Sequence, residues 1–161
     1  MKLPPRIGAA VVAAFLSGCD KPASPTGAGA SPPKHEHVPP HGGTPVELGK
    51  EEFHVELVRD AAAGKLTAYV MDGELEQFVR IAESALSMVV KGPSGTTNLV
   101  LRAIANPATG ETVGDTAQFD GEAGWIKDRA VFDATVPLLK IRGRAFTNVD
   151  FNFPKGNDDG K

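Results

Sequence analysis

All four histidines of this 161-residue chain fall between positions 35 and 54. They stand in Lys34-His35-Glu36-His37-Val38-Pro39-Pro40-His41-Gly42-Gly43-Thr44-Pro45 and in Phe53-His54-Val55-Glu56. Imidazole is the commonest protein ligand for divalent transition metals. In an extended segment His35 and His37 lie on one side, a strand pitch apart, so both rings can reach one ion. Pro39-Pro40 stiffens the approach to His41, and Gly42-Gly43 allows a sharp turn or a close backbone approach. Such a turn folds the first three histidines back toward a sheet on which His54 and Glu56 share a face. The expected metal site therefore draws on His35, His37, His41 and His54, completed by Glu56 or Glu36.

Ligand softness narrows the metal. Beyond the N-terminal leader the chain has two thioethers, Met71 and Met88, and one cysteine, Cys19. Imidazole and carboxylate suit Cu(II), Zn(II) or Ni(II) rather than a soft Cu(I) cage, and the affinity order favours Cu(II) over Zn(II). Affinity should fall as the imidazoles protonate, around pH ~6. The competing reading makes His35 and His37 solvated tether residues, His41 a turn cap and His54 an ordinary strand histidine. Short His-rich tracts are a compositional signal and no more.

The elements that must carry these residues begin with a leader. Lys2 and Arg6 give a positive start, and residues 7–16 (IGAAVVAAFL) form a ten-residue apolar run. That length suits a signal peptide and is too short to span a bilayer. Leu16-Ser17-Gly18-Cys19 closes the run and resembles the lipobox of bacterial lipoproteins. The resemblance implies cleavage after residue 18, Cys19 as the lipid-bearing first mature residue, and a domain held in the cell envelope. Two of the 17 Lys and Arg lie in the leader and none of the 20 Asp and Glu, so the remainder is acidic. An acidic chain lacks the electrostatic footprint of a nucleic-acid binder and the polybasic patch that supports lipid adhesion. Acyl chains must then supply the membrane partner alone. With Cys19 lipidated, no disulfide, thiolate site or cysteine nucleophile remains.

Residues 19–43 read as a tether rich in Pro, Gly, Ala, Ser and His, with little to bury against the entropy of ordering. An extended proline-rich stretch of that length reaches on the order of 60 Å. Residues 44–154 read as an all-β domain, and residues 155–161 as a polar tail. Period-two alternation marks strands over residues 53–58 and 66–71, joined by a hairpin connection at 60–64. Further strands are expected at 78–81, 86–91, 98–104, 130–137 and 139–142. A last strand should place Ala145, Thr147, Val149, Phe151 and Phe153 on one face. Residues 74–86 also fit helical spacing behind an Asp72 cap, but a strand around Val79 agrees better with all-β neighbours. Trp125 is expected at a core edge. About eight short strands predict an antiparallel β-sandwich of immunoglobulin-like architecture, without the Cys and Trp pattern of antibody domains.

No catalytic signature is present. Gly92-Pro93-Ser94-Gly95 is one residue short of a nucleophile elbow. His35-Glu36-His37 places its second histidine too early for H-E-x-x-H, and no phosphate loop occurs. The chain is expected not to be an enzyme. The stretch from His35 to Val58 resembles the segment HEHxPPHGG…ELG…(F/Y)HxELV of small uncharacterised bacterial lipoproteins. It is also similar to His-Gly-Gly segments that precede a β domain in periplasmic adaptor subunits of heavy-metal efflux pumps. The resemblance implies an envelope domain connected with metal handling. The helical hairpin of such an adaptor has no room here, so pump assembly is not implied. Two functions remain: a lipid-anchored binder of copper or zinc for sequestration or delivery, and a metal-independent module that holds an envelope protein partner. For the second, the loop at residues 106–115 and the Trp125 region are the candidate surfaces.

Overall fold

A computed structural model describes residues 38–157. The described residues belong to one compact unit. Eight strands follow in order: β1 (Thr44–Leu48), β2 (Phe53–Asp60), β3 (Lys65–Asp72), β4 (Ala85–Gly92), β5 (Gly95–Ala103), β6 (Gln118–Glu122), β7 (Phe132–Ile141) and β8 (Arg144–Phe153), with one short helix, α1 (Trp125–Asp128), before β7. They hydrogen-bond into one antiparallel sheet in the order β1-β2-β3-β6-β5-β4-β7-β8. The fold is nearly all-β, in a barrel- or sandwich-like arrangement, as the alternation predicts.

Every strand sends one face into a single core. Val46 and Leu48 of β1 meet Phe53, Val55 and Leu57 of β2, Leu66, Ala68 and Val70 of β3, and Phe119 of β6. Leu86, Met88 and Val90 of β4 and Leu99 and Leu101 of β5 complete that core with β7 and β8. Burying aliphatic and aromatic side chains contributes roughly 1.5–3 kcal/mol each, which substitutes here for disulfides. The ends of the sheet approach one another. Thr44 Oγ1 donates to Pro154 O (3.2 Å), and the Asn157 side chain accepts from Glu47 N (2.7 Å) and donates to Glu47 O (3.0 Å). That side chain pairs with β1 much as a neighbouring strand would. The first residues of the expected polar tail, as far as Asn157, therefore belong to the fold.

Three strand expectations need correction. The segments expected at 130–137 and 139–142 are one strand, β7, which runs through Pro137. Proline has no N–H to give the ladder. It is tolerated because the pairing of β7 with β4 ends at Thr135, and because Asn148 opposite it adopts φ 51°. The disturbance shifts the alternation by one residue. Phe132, Ala134 and Val136 point inward before it, Leu139 and Ile141 after it. On β8 the same slip buries Phe146, Phe151 and Phe153, while Ala145 and Thr147 are exposed, so the expected single face breaks at Asn148. Third, residues 78–81 form neither strand nor helix. Asp72 Oδ1 accepts from Glu76 N (2.9 Å) and Gln77 N (3.1 Å), but Leu75 has φ 58°, which no helix allows. Isolated bridges Met71–Phe78 and Ile81–Thr116 then lay the segment along the sheet, with Val79 and Ile81 buried. β1 and β6 carry too few large apolar residues to announce themselves in the sequence. Trp125 does sit at a core edge, its ring edge-on to Phe132 with centroids 5.2 Å apart.

Candidate functional site

β2 is buried on both faces over Phe53–Leu57. Phe53, Val55 and Leu57 face the core. His54 and Glu56 occupy the opposite face, and the carboxylate of Glu56 is completely buried. A buried carboxylate must have its oxygens occupied, and the segment before β1 occupies them. Glu56 Oε1 accepts from the backbone N–H groups of His41 and Gly43, both at 2.9 Å. Glu56 Oε2 lies 2.8 Å from His41 Nδ1. Because a carboxylate only accepts, Nδ1 carries a ring proton, and in the neutral tautomer Nε2 then holds the lone pair. The side chain of His41 is 34% exposed, so the ring stands half out of the fold.

The sequence folds this way for local reasons. Pro39-Pro40-His41-Gly42 closes a turn, Gly42 N donating to Pro39 O at 3.0 Å, with Gly42 at φ 66°. Proline at the second position and glycine at the fourth are the residues such a turn favours. At Gly43 a Cβ would stand 2.6 Å from Leu57 O and 2.9 Å from Glu56 Cγ, so only glycine lets the backbone reach the carboxylate. The end of the expected tether, from Pro39 to Gly43, is thus clamped onto β2.

Tyr69 of β3 lies opposite Glu56 in the register. Its ring stacks on His41 with centroids 4.0 Å apart and planes 13° apart, and Phe78 tilts against both at 5.8 and 5.9 Å. Burial, reinforced by the Asp120 carboxylate, pushes the Tyr69 phenol above its ordinary value, so it stays neutral. Tyr69 and Phe78 were not among the sequence candidates. The legible signal was an aromatic on the polar side of the alternation, beside Thr67 and Met71.

His41 and Glu56 are brought together. His54 is buried at 5% exposure, and its Nδ1 lies 3.3 Å from Asp72 O. Among the described residues no three His, Cys, Asp or Glu side chains converge as a metal-holding group, so His41, His54 and Glu56 do not form one by themselves. His35, Glu36, His37 and the lipidation candidate Cys19 lie outside the described residues. Met71 and Met88 are completely buried, which leaves imidazole and carboxylate as the accessible donor chemistry. The loop at residues 106–115 is braced by Glu111, which accepts from Thr116 Oγ1 and Ala117 N through Oε1 and from Thr109 Oγ1 through Oε2. Burial alone would raise the Glu111 carboxyl. The three hydrogen bonds, with Arg80 nearby, outweigh it and hold the carboxyl below its ordinary range. No family model, curated protein or solved structure matches the chain.

Proposed function

We propose that this chain is a lipid-anchored protein of the cell envelope whose His-rich segment binds a divalent transition metal, copper or zinc, for sequestration or delivery. The observation that carries the reading is the His41–Glu56 contact at 2.8 Å. A histidine that ligates a metal commonly donates its other ring N–H to a carboxylate, which fixes the tautomer and aims the ligating nitrogen. His41 has that arrangement, with Nε2 left for an ion. Glu56 is fully buried and accepts three hydrogen bonds, which suits it to orient His41 rather than to ligate. The companion ligands are His37 and His35, four and six residues upstream. At no more than about 3.6 Å of chain per residue, both stay within reach of an ion on His41. The bound cargo would be Cu(II) or Zn(II), since the donor set is borderline and no soft ligand is exposed among the described residues.

The test is a titration of the full chain in detergent with ZnCl2, followed by histidine resonances and by melting temperature. The reading expects shifts confined to His35, His37 and His41, with His54 unmoved. At one hundred times the dissociation constant, the domain should gain about 2.7 kcal/mol. A flat titration would refute it. The metal-independent alternative, a module for an envelope protein partner, draws on the braced 106–115 loop, where Val113 is 61% exposed. Partner capture that survives chelation and the loss of the three histidines would favour that reading.

A further inference from the structure

Beside the His41 clamp lies an open cleft of ≈ 410 Å³. Ligand sites in proteins typically occupy about 300–1,000 Å³ and combine an apolar surface with a few convergent polar groups. The floor here is aromatic. His41 and Tyr69 are stacked, and Phe78 leans on both. Phe78 is 53% exposed, although its neighbour Val79 is 1% exposed and packs in the core. Its backbone is fixed by the bridge to Met71 and by Val79 N donating to Val70 O at 2.8 Å. A phenyl ring is therefore held rigidly at the surface, where burial alone would not leave it.

The walls carry amides, from Gln77, Asn106 and Gln118. Asn106 Oδ1 accepts from Ala108 N at 3.1 Å and Gln118 Nε2 donates to Asp120 Oδ1 at 3.4 Å, which leaves Asn106 Nδ2 and Gln118 Oε1 to meet a ligand. Charges are present but already engaged. The Arg80 guanidinium contacts Asp115 Oδ2 at 3.3 Å and Thr109 O at 2.6 Å. Glu111 is held by Thr109, Thr116 and Ala117. The cleft thus offers π faces and amides but no uncommitted charge. The Arg80 charge is already balanced by Asp115, and Glu111 is held by three donors, so the cleft presents no net charge that favours an anionic or a cationic ligand. The chemistry that matches is an uncharged ring with one apolar face and a rim of hydroxyls. A pyranose has that form. Its face of C–H groups carries slight positive charge and packs on the electron-rich face of an aromatic ring. Its equatorial hydroxyls both donate and accept, as amide side chains do.

We propose that this cleft binds a neutral glycan, with Phe78 as the platform for one pyranose ring and Gln77, Asn106 and Gln118 as partners for its hydroxyls. The proposal does not rest on metal binding, because Phe78 and the three amides are no part of the histidine set. The experiment uses the full chain in a detergent without a sugar headgroup, with EDTA present. Chitotetraose, cellotetraose and the acidic control tetragalacturonate are titrated in. Calorimetry gives the affinity, and the Phe78 ring and the Gln118 and Asn106 side-chain amides are followed by NMR. At least one neutral oligosaccharide should move those resonances. Phe78→Ala should weaken it about tenfold, equivalent to 1.4 kcal/mol. Gln77→Ala, at an exposed site where the fold is not at risk, should weaken it about threefold. Leu138→Ala, at a distant exposed residue, should change nothing. The proposal is overturned if neither neutral oligosaccharide moves the cleft resonances, if both cleft variants bind as the parent does, or if tetragalacturonate displaces the neutral ligand.

Discussion

Glu56→Gln is the most discriminating single change, because it keeps the shape of the side chain and reverses one hydrogen bond. In the parent, Oε1 accepts from two backbone N–H groups and Oε2 accepts from His41 Nδ1. A glutamine whose Oε1 still accepts both backbone donors must place its NH2 group against Nδ1. Nδ1 then becomes the acceptor, and the ring proton moves to Nε2. The nitrogen that would hold an ion is thereby blocked. Loss of a carboxylate partner behind a ligating histidine typically costs 10–100-fold in metal affinity, or about 1.4–2.8 kcal/mol. The structural cost should be smaller. Three charge-assisted bonds become neutral ones, each weaker by about 1 kcal/mol, and water at the half-exposed His41 restores part of that. A net loss of about 1–2 kcal/mol lowers Tm on the order of 5 °C for a domain of this size. Long-range proton–nitrogen correlation reads the tautomer directly, and competitive titration with a Zn(II) indicator reads affinity. The expected result is an Nδ1–H tautomer in the parent, Nε2–H in the variant, and weaker binding by a variant that still folds, with Tm lower on the order of 5 °C. If the tautomer reverses and Zn(II) affinity does not change, the coupling between Glu56 and the ligand is refuted.

Other expectations follow from the same geometry. Gly43→Ala forces a Cβ to 2.6 Å from Leu57 O, so the clamp should detach, and amide exchange at residue 43 should rise to that of an open segment. Asn157→Ala removes two hydrogen bonds to Glu47 and should cost about 1–2 kcal/mol in urea unfolding, which a true tail residue would not. The Glu111 carboxyl is held low in the folded chain, so its contribution is present above the ordinary carboxylate range and is lost as pH falls through the lowered value. Amide exchange at Ala117 should therefore accelerate in acid. In Glu111→Gln, exchange at Ala117 should be insensitive to pH over the same interval, once the intrinsic rate is divided out.

Much of this fold was legible because alternation is a strong signal where one face is buried. Phe53-Val55-Leu57 and Leu66-Ala68-Val70 declare β2 and β3, and the connection between them is correctly placed. β7 and β8 were misread at one point, Pro137 opposite Asn148. There the backbone slips phase, and no local pattern shows that two strands accommodate each other. β6 offers only Phe119 as a large apolar residue, so its existence depends on partners far away in sequence. At the site, the sequence showed only that a turn at Gly42-Gly43 folds the preceding histidines toward the face that His54 and Glu56 share, and not which of them meets Glu56. The complete burial of Glu56 and its three hydrogen bonds were not legible, because burial is a property of the closed fold. Tyr69 and Phe78 escaped because they are joined through strand register and an isolated bridge rather than through spacing.

The most direct test of the metal account is the metal content of untagged full-length protein, purified without chelator and measured by mass spectrometry against the variant His35→Ala/His37→Ala/His41→Ala. The account predicts close to one equivalent of copper or zinc in the parent, a trace in the triple variant, and parent-like content in His54→Ala wherever that variant folds. Equal metal in the parent and the triple variant, or none in either after growth in added copper and zinc, would contradict it.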